Sequence, residues 1–217
     1  MTFQNFKPTV YCINLDREIK KYIKIEKNFG DIFEIIRVSA IDGKINNISG
    51  ETALLQTNIN LFRSIINSEK TDNYLIVIED DIYKYDIFDL YWPKIFRFIN
   101  NTSFGGWDFI SLDNLLNFEK PKIEIYNSLL YKIEKSRATG FMVYNIDFLK
   151  KNIEYLASCN ILDLTMKQNT NFTQLIPNKV LVRQIVDKIS GTSNCYTSDY
   201  NKYYEETDEF LNNYFIN

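Results

Sequence analysis

Residues 74–81, Tyr74-Leu75-Ile76-Val77-Ile78-Glu79-Asp80-Asp81, run apolar for five positions and then break into three consecutive carboxylates. A short apolar stretch rich in β-branched residues reads as a buried strand. In open α/β sheets, ligands gather just beyond the carboxyl ends of such strands. Three adjacent acids repel one another and gain nothing for stability, so a compensating cation is expected. A hard divalent ion such as Mg2+ or Mn2+ suits them, because it takes oxygen ligands and bridges to substrate phosphates. A solvated acidic turn after a core strand accounts for the same residues equally well.

The surrounding pattern supports an α/β chain. A strand is expected at 9–14, a helix at 17–29 and a second strand at 33–38, which makes a βαβ opening, with Asp16 placed to cap the helix and Gly30 to end it. A long helix follows Ser49 through Ile66, with Leu54, Leu55, Leu61, Ile65 and Ile66 inward. After the acids comes a helix at 87–99, in which Pro93 is a point of breakage or restart. Residues 107–112 form a further strand candidate, 123–133 a hairpin turning at Asn127-Ser128, and 140–144 a strand leading into a helix at 147–158. The pattern weakens over 160–178, 179–183 is a last strand candidate, and 191–217 is a polar, Tyr-rich flap or loose tail. Strands alternating with helices predict a central, mainly parallel sheet flanked by helices.

Composition removes several functions. With 217 residues, 45% of them hydrophobic, the whole chain 1–217 is expected to form one domain. A net charge of -3 without a basic block argues against a nucleic-acid surface. The Lys-rich stretch 20–27 alternates with Tyr22, Ile23 and Ile25, as the exposed face of an amphipathic helix does. Cys12, Cys159 and Cys195 are widely spaced and odd in number, which fits a reducing compartment and not a disulfide framework or zinc site. No signal core and no run of roughly 20 apolar residues is present, so a cytoplasmic protein without a transmembrane segment is expected. There is no histidine at all, so any chemistry must run on carboxylates, hydroxyls, Arg and Lys.

Ile13-Asn14-Leu15-Asp16-Arg17, Arg37-Val38-Ser39-Ala40-Ile41-Asp42-Gly43 and Ile78-Glu79-Asp80-Asp81 occur in that order along the chain. The set resembles the opening motif, the R-V-x-A-x-D-G and the L-E-D-D of glycosyltransferase family 25, the lipooligosaccharide and collagen galactosyltransferase-like group. Trp107-Asp108, Ala138-Thr139-Gly140-Phe141-Met142-Val143, Ile161-Leu162-Asp163 and Tyr196-Thr197-Ser198-Asp199 resemble its later motifs, so the likeness spans about residues 9 to 200. Each motif alone also has a plain structural reading: a capped helix, a turn glycine or close backbone packing.

The resemblance implies a GT-A-like nucleotide-binding fold, a UDP-sugar donor, a divalent metal (Mn2+ or Mg2+) and inverting transfer of a hexose to a glycan or protein acceptor. Asp81 would hold the metal with Glu79 as second ligand or structural partner, and Asp80 would stand between these roles. Asn14, Asp16 and Arg17 would meet the uridine and diphosphate, Arg17 through a planar fork suited to phosphate oxygens, or else be an ordinary surface helix residue. Asp42 and Gly43 would form a loop over the nucleotide. An inverting enzyme needs a base within reach of the acceptor hydroxyl, and without histidine the candidates are Asp163 and Asp199. Asp163 also suits a helix cap, and Asp199 a solvated tail.

One departure matters. The family carries Ser-His in the long helix before the acidic strand, where this chain has Thr57-Asn58. That substitution leaves a second reading open, a catalytically inactive homologue that binds a nucleotide, glycan or protein. A carboxylate-metal phosphohydrolase or nuclease is a third, and it requires further acids converging from other strands.

Overall fold

The computed structural model describes residues 7–68, 72–101, 106–113, 115–116, 121–134, 136–167, 169–185 and 197–213. In chain order these form β1 (Thr9–Asn14), a 3-10 turn (Asp16–Glu18), α1 (Ile19–Phe29), β2 (Glu34–Ser39), α2 (Gly43–Asn46), α3 (Gly50–Ile66), β3 (Tyr74–Glu79), β4 (Ile82–Lys84) and α4 (Phe88–Ile99). They continue with β5 (Phe109–Ser111), β6 (Leu115–Leu116), β7 (Ile123–Ile125), β8 (Leu130–Ile133), β9 (Ser136–Arg137), β10 (Phe141–Asn145), α5 (Ile146–Ala157), α6 (Leu162–Lys167), β11 (Gln174–Pro177), β12 (Val182–Gln184) and α7 (Thr197–Asn213).

The main sheet has the order β2-β1-β3-β10-β5-β11-β8-β7. It is mainly parallel, with β10 and β8 running against the rest. The apolar runs explain why both faces are covered. Along β3, Tyr74, Ile76 and Ile78 enter one cluster with Val10, Cys12, Phe141 and Val143, while Leu75 and Val77 enter the opposite one with Ile13, Met142 and Tyr144. Side chains alternate across a strand, so an unbroken hydrophobic sequence demands helices on each side. α1 and α4 supply the first, through Ile25, Phe29, Phe88, Trp92 and Ile95; α3, α5 and α6 supply the second, through Leu55, Phe62, Leu149 and Met166.

Most expected elements form within a residue or two of their predicted bounds, and the corrections have local causes. Asp16 does not cap α1: no side chain caps that helix, because the Asp16 carboxylate accepts from Arg37 Nη2 at 2.6 Å and Ser39 Oγ at 2.8 Å. Gly30 does end it, its N–H donating to Glu26 O at 2.8 Å, where a Cβ would strike that same carbonyl at 2.4 Å. Pro93 does not break α4. It and Asp89, whose carbonyl loses its partner, are both exposed, so water can replace the missing bond.

Residues 160–178 hold α6 and β11, and 197–213 form α7, whose Tyr204, Thr207 and Leu211 are buried. Of the Tyr-rich stretch, 191–196 and 214–217, with Cys195 and Tyr196, lie outside the described residues. No described helix is long and apolar enough to cross a membrane.

Candidate functional site

Because β1, β2, β3 and β5 run one way and β10 the other, Asn14, Ser39, Glu79, Ser111 and the turn before β10 all arrive at one edge of the sheet. The acids predicted to form a site therefore stand at a strand's carboxyl end beside three other strand ends. Glu79, Asp80 and Asp81 are each half-buried, and each is fixed differently.

Glu79 Oε1 accepts from Thr139 Oγ1 at 2.7 Å and Oε2 from Gln184 Nε2 at 3.3 Å. Asp80 Oδ2 accepts from Asn14 Nδ2 at 2.6 Å. Asp81 Oδ1 is buried with no hydrogen-bond partner. Burial raises the pKa of Glu79 above the carboxylate range, aided by Asp81 and Asp113 and opposed by the Thr139 bond. Asp81 is raised by burial and then by Asp80 and Asp113, and Asp80 by burial despite its bond to Asn14.

Asn14 is a hub. It accepts from Arg37 Nε at 2.7 Å while donating to Asp80 and to Glu18 O, and Arg37 continues the network to Asp16. That pairing, led by the Arg37 hydrogen bond, lowers the Asp16 pKa. Arg17 forms an ion pair with Asp42, which also accepts from the Lys44 N–H and so caps α2. Gly43 begins that helix, where a Cβ would meet Ile48 O at 2.8 Å. Thr57 holds this loop from α3, accepting from the Ile41 N–H at 2.9 Å. Asn58 is buried and donates to Leu54 O of its own helix at 2.9 Å.

Asp163, on α6, accepts from the Leu164 N–H at 2.7 Å, and its charge reaches both Glu79 and Lys167. Asp163 thus lies inside the first turn of α6, not ahead of it, and near the acids. Asp199 falls in α7, and its side chain lies outside the described residues.

Four participants, Asp113, Tyr204, Gln184 and Lys167, were not anticipated. Asp113, fully buried after β5, is bonded by Tyr204 of α7 through its hydroxyl at 2.5 Å, and burial raises its pKa to about 6. Tyr204 also accepts from the Gln184 N–H at 3.0 Å, so α7 braces the same strand that bonds Glu79. Lys167 is 1% exposed and donates to Ser111 Oγ at 2.8 Å and to Ala138 O. Desolvation lowers its pKa to about 8 against the pull of Asp113, Asp163 and Glu79. Asp113 carries the same signal as the triplet, an acid just past an apolar strand. Gly140 makes the close approach possible: a Cβ there would lie 2.5 Å from Asp113 Oδ2 and 2.7 Å from Ile82 Cγ2.

No protein-family model and no curated protein matches the sequence. Among solved structures, a glycosyltransferase involved in glycosylation of the major capsid of PBCV-1 superposes with a TM-score of 0.53 over 93% of this chain and 100% of that one, at 9% identity. The chain has a glycosyltransferase-like fold. Mouse xyloside xylosyltransferase 1 in its apo form aligns more loosely, with a TM-score of 0.34, 11% identity and coverage of 76% and 63%. Mannose-1-phosphate geranyltransferase from Thermus thermophilus gives 0.38 at 6% identity, covering 79% and 73%.

The acids suit a cation that has other ligands as well. Among the described residues no three His, Cys, Asp or Glu side chains are grouped so as to hold a metal ion by themselves. Both Glu79 oxygens and one of Asp80 already have donors, whereas Asp81 presents an unpartnered buried oxygen. A hard cation at such a place would need only one or two protein carboxylates, the rest of its ligands coming from elsewhere.

Proposed function

We propose that this protein is a metal-dependent glycosyltransferase that moves a hexose, galactose or glucose, from a UDP-sugar to a hydroxyl of a glycan or protein acceptor with inversion. The observation that carries the reading is Asp81 Oδ1, buried and unpartnered at the end of β3, on a fold shared with a glycosyltransferase. An orphaned buried carboxylate oxygen is costly unless a ligand uses it.

In this reading Asp81 binds Mn2+ or Mg2+, and Glu79, held by Thr139 and Gln184, supports it from behind. When bound, the cation would act as a Lewis acid on the diphosphate and stabilise the charge that develops as UDP leaves. Asp80 is held in place by Asn14, with Asp16 beside it, where the uridine end would lie. Arg17 exchanges its partner Asp42 for the donor diphosphate, which frees the Asp42-Gly43 loop to settle over the nucleotide. Asp163 accepts the acceptor's hydroxyl proton, because its second oxygen is not used by the Leu164 N–H. Asp199 is the alternative base. The protein acts in the cytoplasm, without binding nucleic acid.

A second reading, a binding module without transfer, is favoured by Asn58, which is turned back onto its own helix. A donor screen with UDP-glucose, UDP-galactose, UDP-GlcNAc and UDP-GalNAc in Mn2+ separates the two. Release of UDP supports the enzyme and names its donor; tight UDP binding without release from any donor supports the module.

A further inference from the structure

Ala138 adopts φ 71°, a left-handed conformation that strains a residue with a Cβ, and it is buried. Its carbonyl accepts from Lys167, whose ammonium also donates to Ser111 Oγ, itself bonded to Asp113 O at 2.7 Å. The next residue, Thr139, donates to Glu79; the one after, Gly140, accepts from the Glu79 N–H at 2.9 Å and lies against Asp113. Three successive residues of one strained turn therefore connect a buried cation to the acidic strand end.

We infer that Lys167 is the positioning residue of this site: it clamps the Ala138 turn so that Thr139 and Gly140 fix Glu79 beside Asp81. A lysine is rarely buried without such a task, and here its ammonium faces Asp113, Asp163 and Glu79, so it also offsets their charge from within the fold. Lys167 does not touch the donor; it acts through the turn. The inference rests on the reading of Glu79 to Asp81 as the donor and cation site, but its test does not need the cation.

The test is amide hydrogen exchange in the metal-free protein. In Lys167→Met, the Glu79 amide, which donates to Gly140 O, and the Leu112 amide, which donates to Phe141 O, should exchange roughly ten- to a hundredfold faster, the range of a lost hydrogen bond to a charged group. Amides pairing β1 with β2 should be unchanged. Ala138→Gly added to Lys167→Met should restore slow exchange, because glycine holds a positive φ without the clamp. Mn2+ affinity by calorimetry should fall and recover in parallel.

Unchanged exchange at Glu79, or a loss that Ala138→Gly does not repair, overturns the inference. Failure of both variants to fold does so too, since Lys167 would then serve the core at large. If the natural protein binds no Mn2+, the metal reading falls while the exchange result still decides the role of Lys167.

Discussion

Asn14 Nδ2 donates to Asp80 Oδ2 across 2.6 Å, so the end of β1 fixes the middle acid of the triplet at the end of β3. The same side chain accepts from Arg37, so removing it takes one hydrogen-bond partner from each of two charged groups, although Arg37 keeps Asp16. Asn14→Ala is expected to destabilise the fold by about 1–3 kcal/mol. Urea unfolding monitored by tryptophan fluorescence measures this, and an unchanged midpoint would show that water replaces the amide without loss.

In its ion pair with Asp42, Arg17 is 41% exposed and Asp42 13%, so Arg17→Ala should cost only about 1 kcal/mol of stability, Asp42 keeping its bond from the Lys44 N–H. Its effect on ligands should be selective. Binding of a UDP-sugar should weaken by about 1.5–3 kcal/mol, as for a lost charged hydrogen bond, while uridine binding is little altered. Equal losses for both, measured by calorimetry, would return Arg17 to a surface helix role.

These two residues also mark how far the sequence carries. β3 and its acids were legible because a buried strand and three charges are each unmistakable locally, and β1, α1 and α3 followed from period, with Gly30 closing α1. The reversed direction of β10 was not legible, since an apolar strand reads alike both ways and its neighbours are far away in sequence. Asp113 gave the triplet's signal, but as one acid after a strand of three residues. Lys167 gave none: a lysine is read as exposed until the fold surrounds it. α7 was hidden by charge and tyrosine, although its buried Tyr204, Thr207 and Leu211 fall at helical spacing.

Burial and then neighbouring carboxylates raise the pKa values of Glu79 and Asp81, and burial raises that of Asp113 against the pull of Tyr204 and Lys167, so the folded, metal-free protein holds protons that the unfolded chain has released. Stability therefore falls as pH rises from the ordinary carboxylate range through those raised values, a window that for Asp113 runs from 3.8 to about 6. Mn2+ needs the acids deprotonated, so its affinity rises over the same window and its presence offsets the loss. Melting curves between about pH 4 and pH 8, with and without Mn2+, test both signs; rising metal-free stability across the window would contradict them.

Asp163→Asn should lower the turnover number by about two to four powers of ten if it removes the base, with little change in donor affinity. Because Asn also accepts from the Leu164 N–H, the helix start survives and melting temperature should hold. Near-normal turnover with lowered stability would make Asp163 a structural residue and move the base elsewhere.

The most direct test of the central claim is calorimetry of UDP with Mn2+ on the natural protein and on Asp81→Asn. The account predicts Mn2+-dependent UDP binding that Asp81→Asn abolishes, while the variant's metal-free melting temperature stays level or rises, since a repelled, desolvated carboxylate has been neutralised. UDP binding that is independent of Mn2+, or undiminished in Asp81→Asn, would contradict it.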